Sequence, residues 1–185
     1  MILPIIAYGD PILKKKAQEI TPEHPKLKEL IASMYETMYN SSGVGLAAPQ
    51  IGVSIRLFIV DCSPFDDDEK AKDFKRTFIN PQVTLEEGEK WNFNEGCLSI
   101  PGIREDINRH PKVYISYYDE NFVHHEDIFD GIIARVIQHE YDHLEGTLFI
   151  DRLSAFKRTL LKNRLLDITK GKVDVDYRMK FPAKR

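Results

Sequence analysis

Gly131-Ile132-Ile133-Ala134-Arg135-Val136-Ile137-Gln138-His139-Glu140-Tyr141-Asp142-His143-Leu144-Glu145 is the stretch around which the rest of the chain is organised. Asp130 before it can cap a helix and Gly146 after it can end one, so a helix is predicted over 131–145. The early turns carry Ile132, Ile133, Val136 and Ile137, which makes this a buried helix. Within it, His139 and His143 are four residues apart and so stand about 40° apart around the axis. Both imidazoles can face one ion, with Glu140 at the edge of the same face, in an H-E-x-x-H pattern. A chance match on a polar helix is the bland alternative. Buried histidines need partners, and a metal accounts for two of them together. Ile132 and Val136 share the histidine face and are expected either to line an apolar pocket beside the metal or to pack in the core.

Outward from that helix, Leu27, Leu30, Ile31, Met34 and Met38 recur at helical spacing and predict an amphipathic helix over 26–39. Glycines punctuate 43–52, and 55–60 reads as a buried strand. The charged, turn-rich stretch 63–75 reads as an exposed loop. Strands are predicted over 77–87 and 91–93, and 113–118 and 122–128 flank Asp119-Glu120-Asn121 as a hairpin. A last helix over 154–168 is expected to bury Phe156, Leu160, Leu161 and Ile168. The order predicts an α+β fold in a single domain, with mainly antiparallel sheets packed around the central metal-binding helix and a helix towards each end.

The 185 residues suit one compact domain, and 42% apolar with 30% charged residues is an ordinary globular mixture. No apolar run reaches the roughly 20 residues needed to span a bilayer, and the apolar start at 1–7 lacks the basic and long apolar regions of a signal peptide. A cytoplasmic protein is therefore expected. Charge is unevenly spread: 15 basic residues face 26 acidic ones over 1–151, against 11 and 3 over 152–185. The acidic body argues against DNA binding as a main role. The basic tail suggests either a solvated helix or a partner of its own.

Two histidines need a third protein ligand if the site is catalytic and keeps one position open. Asp151 and Asp167 lie downstream without a diagnostic pattern. Cys62 and Cys97 each read first as a core thiol, although Cys97 sits in Glu95-Gly96-Cys97-Leu98-Ser99-Ile100-Pro101-Gly102, after a glycine and before a turn limited by proline.

Three segments together resemble one family. Gly43-Val44-Gly45-Leu46-Ala47-Ala48-Pro49-Gln50, Glu95-Gly96-Cys97-Leu98-Ser99 and Gln138-His139-Glu140-Tyr141-Asp142-His143-Leu144 look like the three motifs of peptide deformylases, in the family's order. Tyr8-Gly9-Asp10-Pro11 resembles its start. The likeness runs over about 4–168, so that 1–168 is expected to form the core of one catalytic domain and 169–185 a basic tail.

The resemblance implies hydrolysis of the formyl group from the N-terminal formylmethionine of newly made proteins. It implies Cys97, His139 and His143 as ligands of one divalent metal, natively Fe(II), with Zn, Ni or Co also compatible with thiolate and imidazole. Glu140 would move the protons. The Gln50 side-chain amide and the Leu98 backbone N–H would stabilise charge on the formyl oxygen. Val44, Ile132 and Val136 are expected to form the methionine slot, Gly45 to let substrate backbone pass close, and Arg104 to meet the peptide. The basic helix is expected to dock on ribosomal phosphate. Two rivals stand beside this reading: a zinc endopeptidase, and a non-enzymatic module with a structural metal.

Overall fold

A computed structural model describes residues 1–182; residues 183–185, the end of the expected basic tail, lie outside the described residues. Nine strands and three α-helices are described: β1 (Ile5–Ile6), α1 (Leu27–Asn40), β2 (Gly45–Ala47), β3 (Leu57–Asp61), β4 (Lys75–Glu87), β5 (Trp91–Cys97), β6 (Ile100–Arg109), β7 (Lys112–Tyr118), β8 (His124–Asp130), α2 (Gly131–Leu144), α3 (Ala155–Thr169) and β9 (Met179–Lys180).

The largest sheet has the order β2-β3-β4-β7-β8, with every neighbouring pair antiparallel. Its strand β3 is buried along its whole length because the two-residue period sends alternate side chains to opposite faces. Phe58 and Val60 join Phe78, Ile115 and Tyr117 in a core shared with Ile133, Val136 and Ile137 of α2. Leu57 and Ile59 face the other way, onto Ile31, Met34 and Met38 of α1. Each such side chain contributes roughly 1.5–3 kcal/mol by leaving water.

On its far side α2 meets the β5–β6 hairpin. Arg135 donates from that helix to Ile107 O at 2.8 Å, and Gln138 to His110 O at 2.9 Å. The central helix is thus enclosed by sheet on two sides, and the α+β expectation holds. The hairpin in turn packs Ile100, Ile103 and Ile107 against Leu161, Leu165 and Ile168 of α3.

Three local expectations need correction, and the chain beyond α3 adds a feature that none of them covered. Asp130 holds the cap position of α2 but makes no side-chain cap; its carboxylate takes two hydrogen bonds from Lys70 instead. Residues 100–109 form strand β6, and Pro101 lies inside it rather than limiting a turn. Along α3, Phe156 is 71% and Leu160 65% exposed. The helix buries only the stripe Leu161, Leu165 and Ile168, and Leu160 is rotated by about 100° from Leu161. Finally, the chain after α3 folds back onto the body: Ile5 and Ala7 donate to Arg178 O and Lys180 O, and β9 pairs in parallel with β1.

Candidate metal centre and catalytic cleft

Two elements, α2 and β5, bring three donor side chains together. The helix supplies His139 and His143, with their rings 5.2 Å apart between centroids. Strand β5 supplies Cys97 at its end, 3.5 Å from His143 Nε2. One donor atom from each of the three lies within 4.8 Å of the others, and among the described residues this is the one cluster of His, Cys, Asp and Glu able to hold a metal. Asp151 and Asp167 lie elsewhere: Asp151 takes the Leu148 N–H and pairs with Lys14, and Asp167 pairs with Lys172. Cys62 is a buried core thiol, with its pKa pushed up to about 12 by burial and by Asp61.

The donor set fits a divalent ion with nitrogen and sulfur preference. The electrostatics fit as well. Burial lowers the His143 pKa far below its usual value, favouring the neutral imidazole that ligates metals. Burial acts in the same sense on His139, but its hydrogen bonds to Cys97 and Glu95 outweigh it and hold that pKa well above normal.

Behind the ligands stands a buried charge network that the motifs had not indicated. Glu95 accepts from His139 Nδ1 at 2.9 Å, from Arg109 Nε and NH2 at 2.7 and 3.0 Å, and from Arg135 NH1 at 2.9 Å. Burial alone would raise its pKa, but His139 and Arg109 hold Glu95 well below the carboxylate range. Arg109 reaches on to Asp142 at 2.7 Å, and Asp142 also binds Arg152 through two nitrogens at 2.6 Å. A buried carboxylate on a ligating imidazole fixes its tautomer and orientation. Two cues in the chain pointed here: Glu95 is two strand residues from Cys97, and Arg135 is four helical residues before His139.

Glu140 is not among the three donors. Its carboxyl is buried and its Oε2 meets no hydrogen-bond partner among the described residues. Burial pushes its pKa up to about 7, with the nearby His139 charge only partly offsetting the effect. A carboxyl poised near neutrality is suited to both taking and giving a proton.

Gln50 is fixed by the Ala47 N–H, which donates to its Oε1 at 2.9 Å; Nε2 then points at Cys97 Sγ (3.4 Å) and Ser99 Oγ (3.3 Å). Gln50 and Cys97 border a cleft of about 530 Å³ lined also by Val44, Gly45, Leu98, Arg104 and Val136. Arg104 is turned onto its own hairpin, donating to Asn94 Oδ1 and O at 2.8 and 2.7 Å. Ile132 is not on the cleft wall: it packs half-buried against the core beneath the sheet, one turn too far along α2 to reach the opening. Gly45 is crowded by the protein itself, since a Cβ there would meet Glu140 Oε1 at 2.5 Å. Two lining residues, Val175 and Tyr177, come from beyond α3.

Residues 2–159 match the family model described as polypeptide deformylase. The chain is 58% identical to the peptide deformylase of Flavobacterium johnsoniae, over 99% of this chain and 97% of that one. Among solved structures, a Legionella pneumophila peptide deformylase is 35% identical with a TM-score of 0.80, covering 93% of this chain and 98% of the other. Arabidopsis thaliana peptide deformylase 1B bound to an inhibitor is 31% identical with a TM-score of 0.82, covering 95% and 98%.

Proposed function

The chain belongs to the polypeptide deformylase family, and from that premise we propose how its residues divide the work. The enzyme is a metal-binding hydrolase that removes the formyl group from the N-terminal formylmethionine of newly made proteins. One observation carries the assignment of roles: a cysteine sulfur and two imidazoles with donors within 4.8 Å stand beside a buried Glu140 whose Oε2 is unpartnered among the described residues.

Cys97, His139 and His143 would hold one divalent ion, natively Fe(II), with Zn, Ni or Co as alternatives the same ligands accept. When bound, such an ion brings the pKa of water towards about 7 and polarises the formyl carbonyl. Glu140 accepts the proton of the attacking water as its oxygen joins the formyl carbon. The Gln50 amide and the Leu98 N–H stabilise the negative charge that grows on the formyl oxygen. As the C–N bond breaks, Glu140 returns a proton to the departing amine, leaving formate and a free methionine terminus. Val44 and Val136 offer apolar surface for the methionine side chain, and Arg104 on the cleft wall would have to leave Asn94 to meet the peptide beyond it.

Formate release from formyl-Met, acetyl-Met and internally labelled peptides, after anaerobic purification with metal analysis, tests this reading. Release confined to the formylated substrate, in proportion to bound metal, is expected; cleavage of an internal bond would favour an endopeptidase, and metal without turnover a structural site.

The partner and compartment follow from the substrate. Among the described residues no helix is long and apolar enough to cross a membrane, and the place of work proposed is the cytoplasm, on nascent chains at the ribosome. Arg158 and Lys162 of α3 are exposed beside Phe156 and Leu160, whereas Lys157 pairs with Glu105 and Arg164 donates to Gly102 O. Reversing Arg158 and Lys162 to Glu should leave activity on free peptides unchanged and weaken ribosome binding in a salt-sensitive way. Unchanged binding at low salt would return α3 to a solvated helix.

A further inference from the structure

Residues 173–181 run Val-Asp-Val-Asp-Tyr-Arg-Met-Lys-Phe, apolar and polar in strict alternation, and they lie beyond the matched family model. A two-residue period is the mark of an extended segment with one face inward. The structure places that face as the pattern dictates: Val173, Val175, Tyr177 and Met179 are half-buried while Asp174, Asp176, Arg178 and Lys180 are exposed. Pairing of β9 with β1 anchors the far end.

The inward face closes the catalytic cleft. Val175 and Tyr177 both line it, and the Tyr177 hydroxyl donates to Leu98 O at 2.8 Å. From the other side the Tyr8 N–H donates to Ser99 O at 2.8 Å, so both carbonyls of the Leu98-Ser99 turn are held from outside the hairpin. This turn joins Cys97, the metal-binding thiol, to Ser99, which meets Gln50. The Leu98 N–H lies in the preceding Cys97–Leu98 peptide, one Cα away from the held Leu98 carbonyl, so fixing that carbonyl restrains the residue that carries the N–H beside the Cys97 sulfur.

We propose that Tyr177 is a positioning residue of the reaction, holding the Leu98 carbonyl and through it the Leu98 backbone, so that the N–H on the other side of the Leu98 Cα meets the charge developing on the formyl oxygen. The inference rests on the reading of Leu98 and Gln50 as donors to that oxygen. A donor aimed in advance at developing charge acts on kcat rather than on substrate binding.

Tyr177→Phe removes one hydroxyl and keeps the ring that fills the wall. The full-length, metal-loaded variant is compared with the parent and with Gln50→Leu, measuring kcat, KM, metal content and Tm on a formyl-Met peptide. Loss of one net hydrogen bond predicts a fall in kcat of about three- to tenfold, with KM, metal content and Tm close to the parent. If Gln50→Leu loses kcat and Tyr177→Phe does not, Tyr177 has no positioning role although the charge-stabilising site stands. If neither variant loses kcat, the reading of that site falls as well. A fall in kcat that tracks lost metal or a lowered Tm makes Tyr177 a structural residue and overturns the proposal.

Discussion

A Cβ on Gly45 would lie 2.5 Å from Oε1 of Glu140 and 2.8 Å from its Cδ. Glycine at this position therefore makes room for the carboxyl that moves the protons; its φ is not in the left-handed region and gives no reason for it. Gly45→Ala should push Glu140 aside and lower kcat by up to about 10²-fold, the scale of a small misplacement of a reacting group. Steady-state kinetics with metal analysis checks this: metal content and KM should stay near the parent. A raised KM with kcat untouched would instead mean that the glycine serves the substrate's backbone.

Glu95 predicts a different failure. Its carboxylate fixes His139 and neutralises Arg109 and Arg135 in the interior. Glu95→Gln should weaken metal affinity about 10- to 100-fold, the usual effect of losing such a partner of a ligand. Stability should fall too, because the buried Arg135 loses its counter-charge and Arg109 is left with Asp142 alone. Competition against a chelator and thermal denaturation measure the two effects; unchanged metal retention would remove Glu95 from the support of the site.

Cys97→Ser tests the sulfur itself. A hydroxyl is a poor ligand where a thiolate stood, so metal content should fall or metal preference shift, and formate release should fall with it. Metal analysis after anaerobic purification decides the matter, and full content with full activity would take Cys97 out of the ligand set.

The chain displays some of this architecture openly and hides the rest for physical reasons. The α2 pattern was legible because a buried helix with two histidines four apart leaves few alternatives. Likewise β3 was legible as an unbroken apolar run. Strand β6 was hidden because Pro101 and Gly102 look like turn residues; they lie at a register shift, between Ile100, which pairs with Cys97, and Arg104, which pairs with Gly96. Phe156 and Leu160 misled because helical spacing shows which residues share a side and says nothing of how wide a stripe the neighbours cover. Ile132 shares the histidine face but sits nearly two turns before His139, and the cleft opens nearer the ligands. The network of Glu95, Arg109, Arg135 and Asp142 joins residues up to 47 positions apart, so no local pattern could assemble it. By contrast, the alternation over 173–181 was present to be read, overshadowed by the basic charge of the tail.

The division of labour between ligands and proton carrier is tested most directly by Glu140→Ala, with metal stoichiometry and formate release measured on the same preparation. Glu140 is outside the donor cluster, so the variant should keep the parent's metal content. Formate release should fall by at least about 10²-fold, because the group that moves the proton is gone. Loss of the metal in step with activity, or turnover surviving within a few-fold of the parent, would contradict the account.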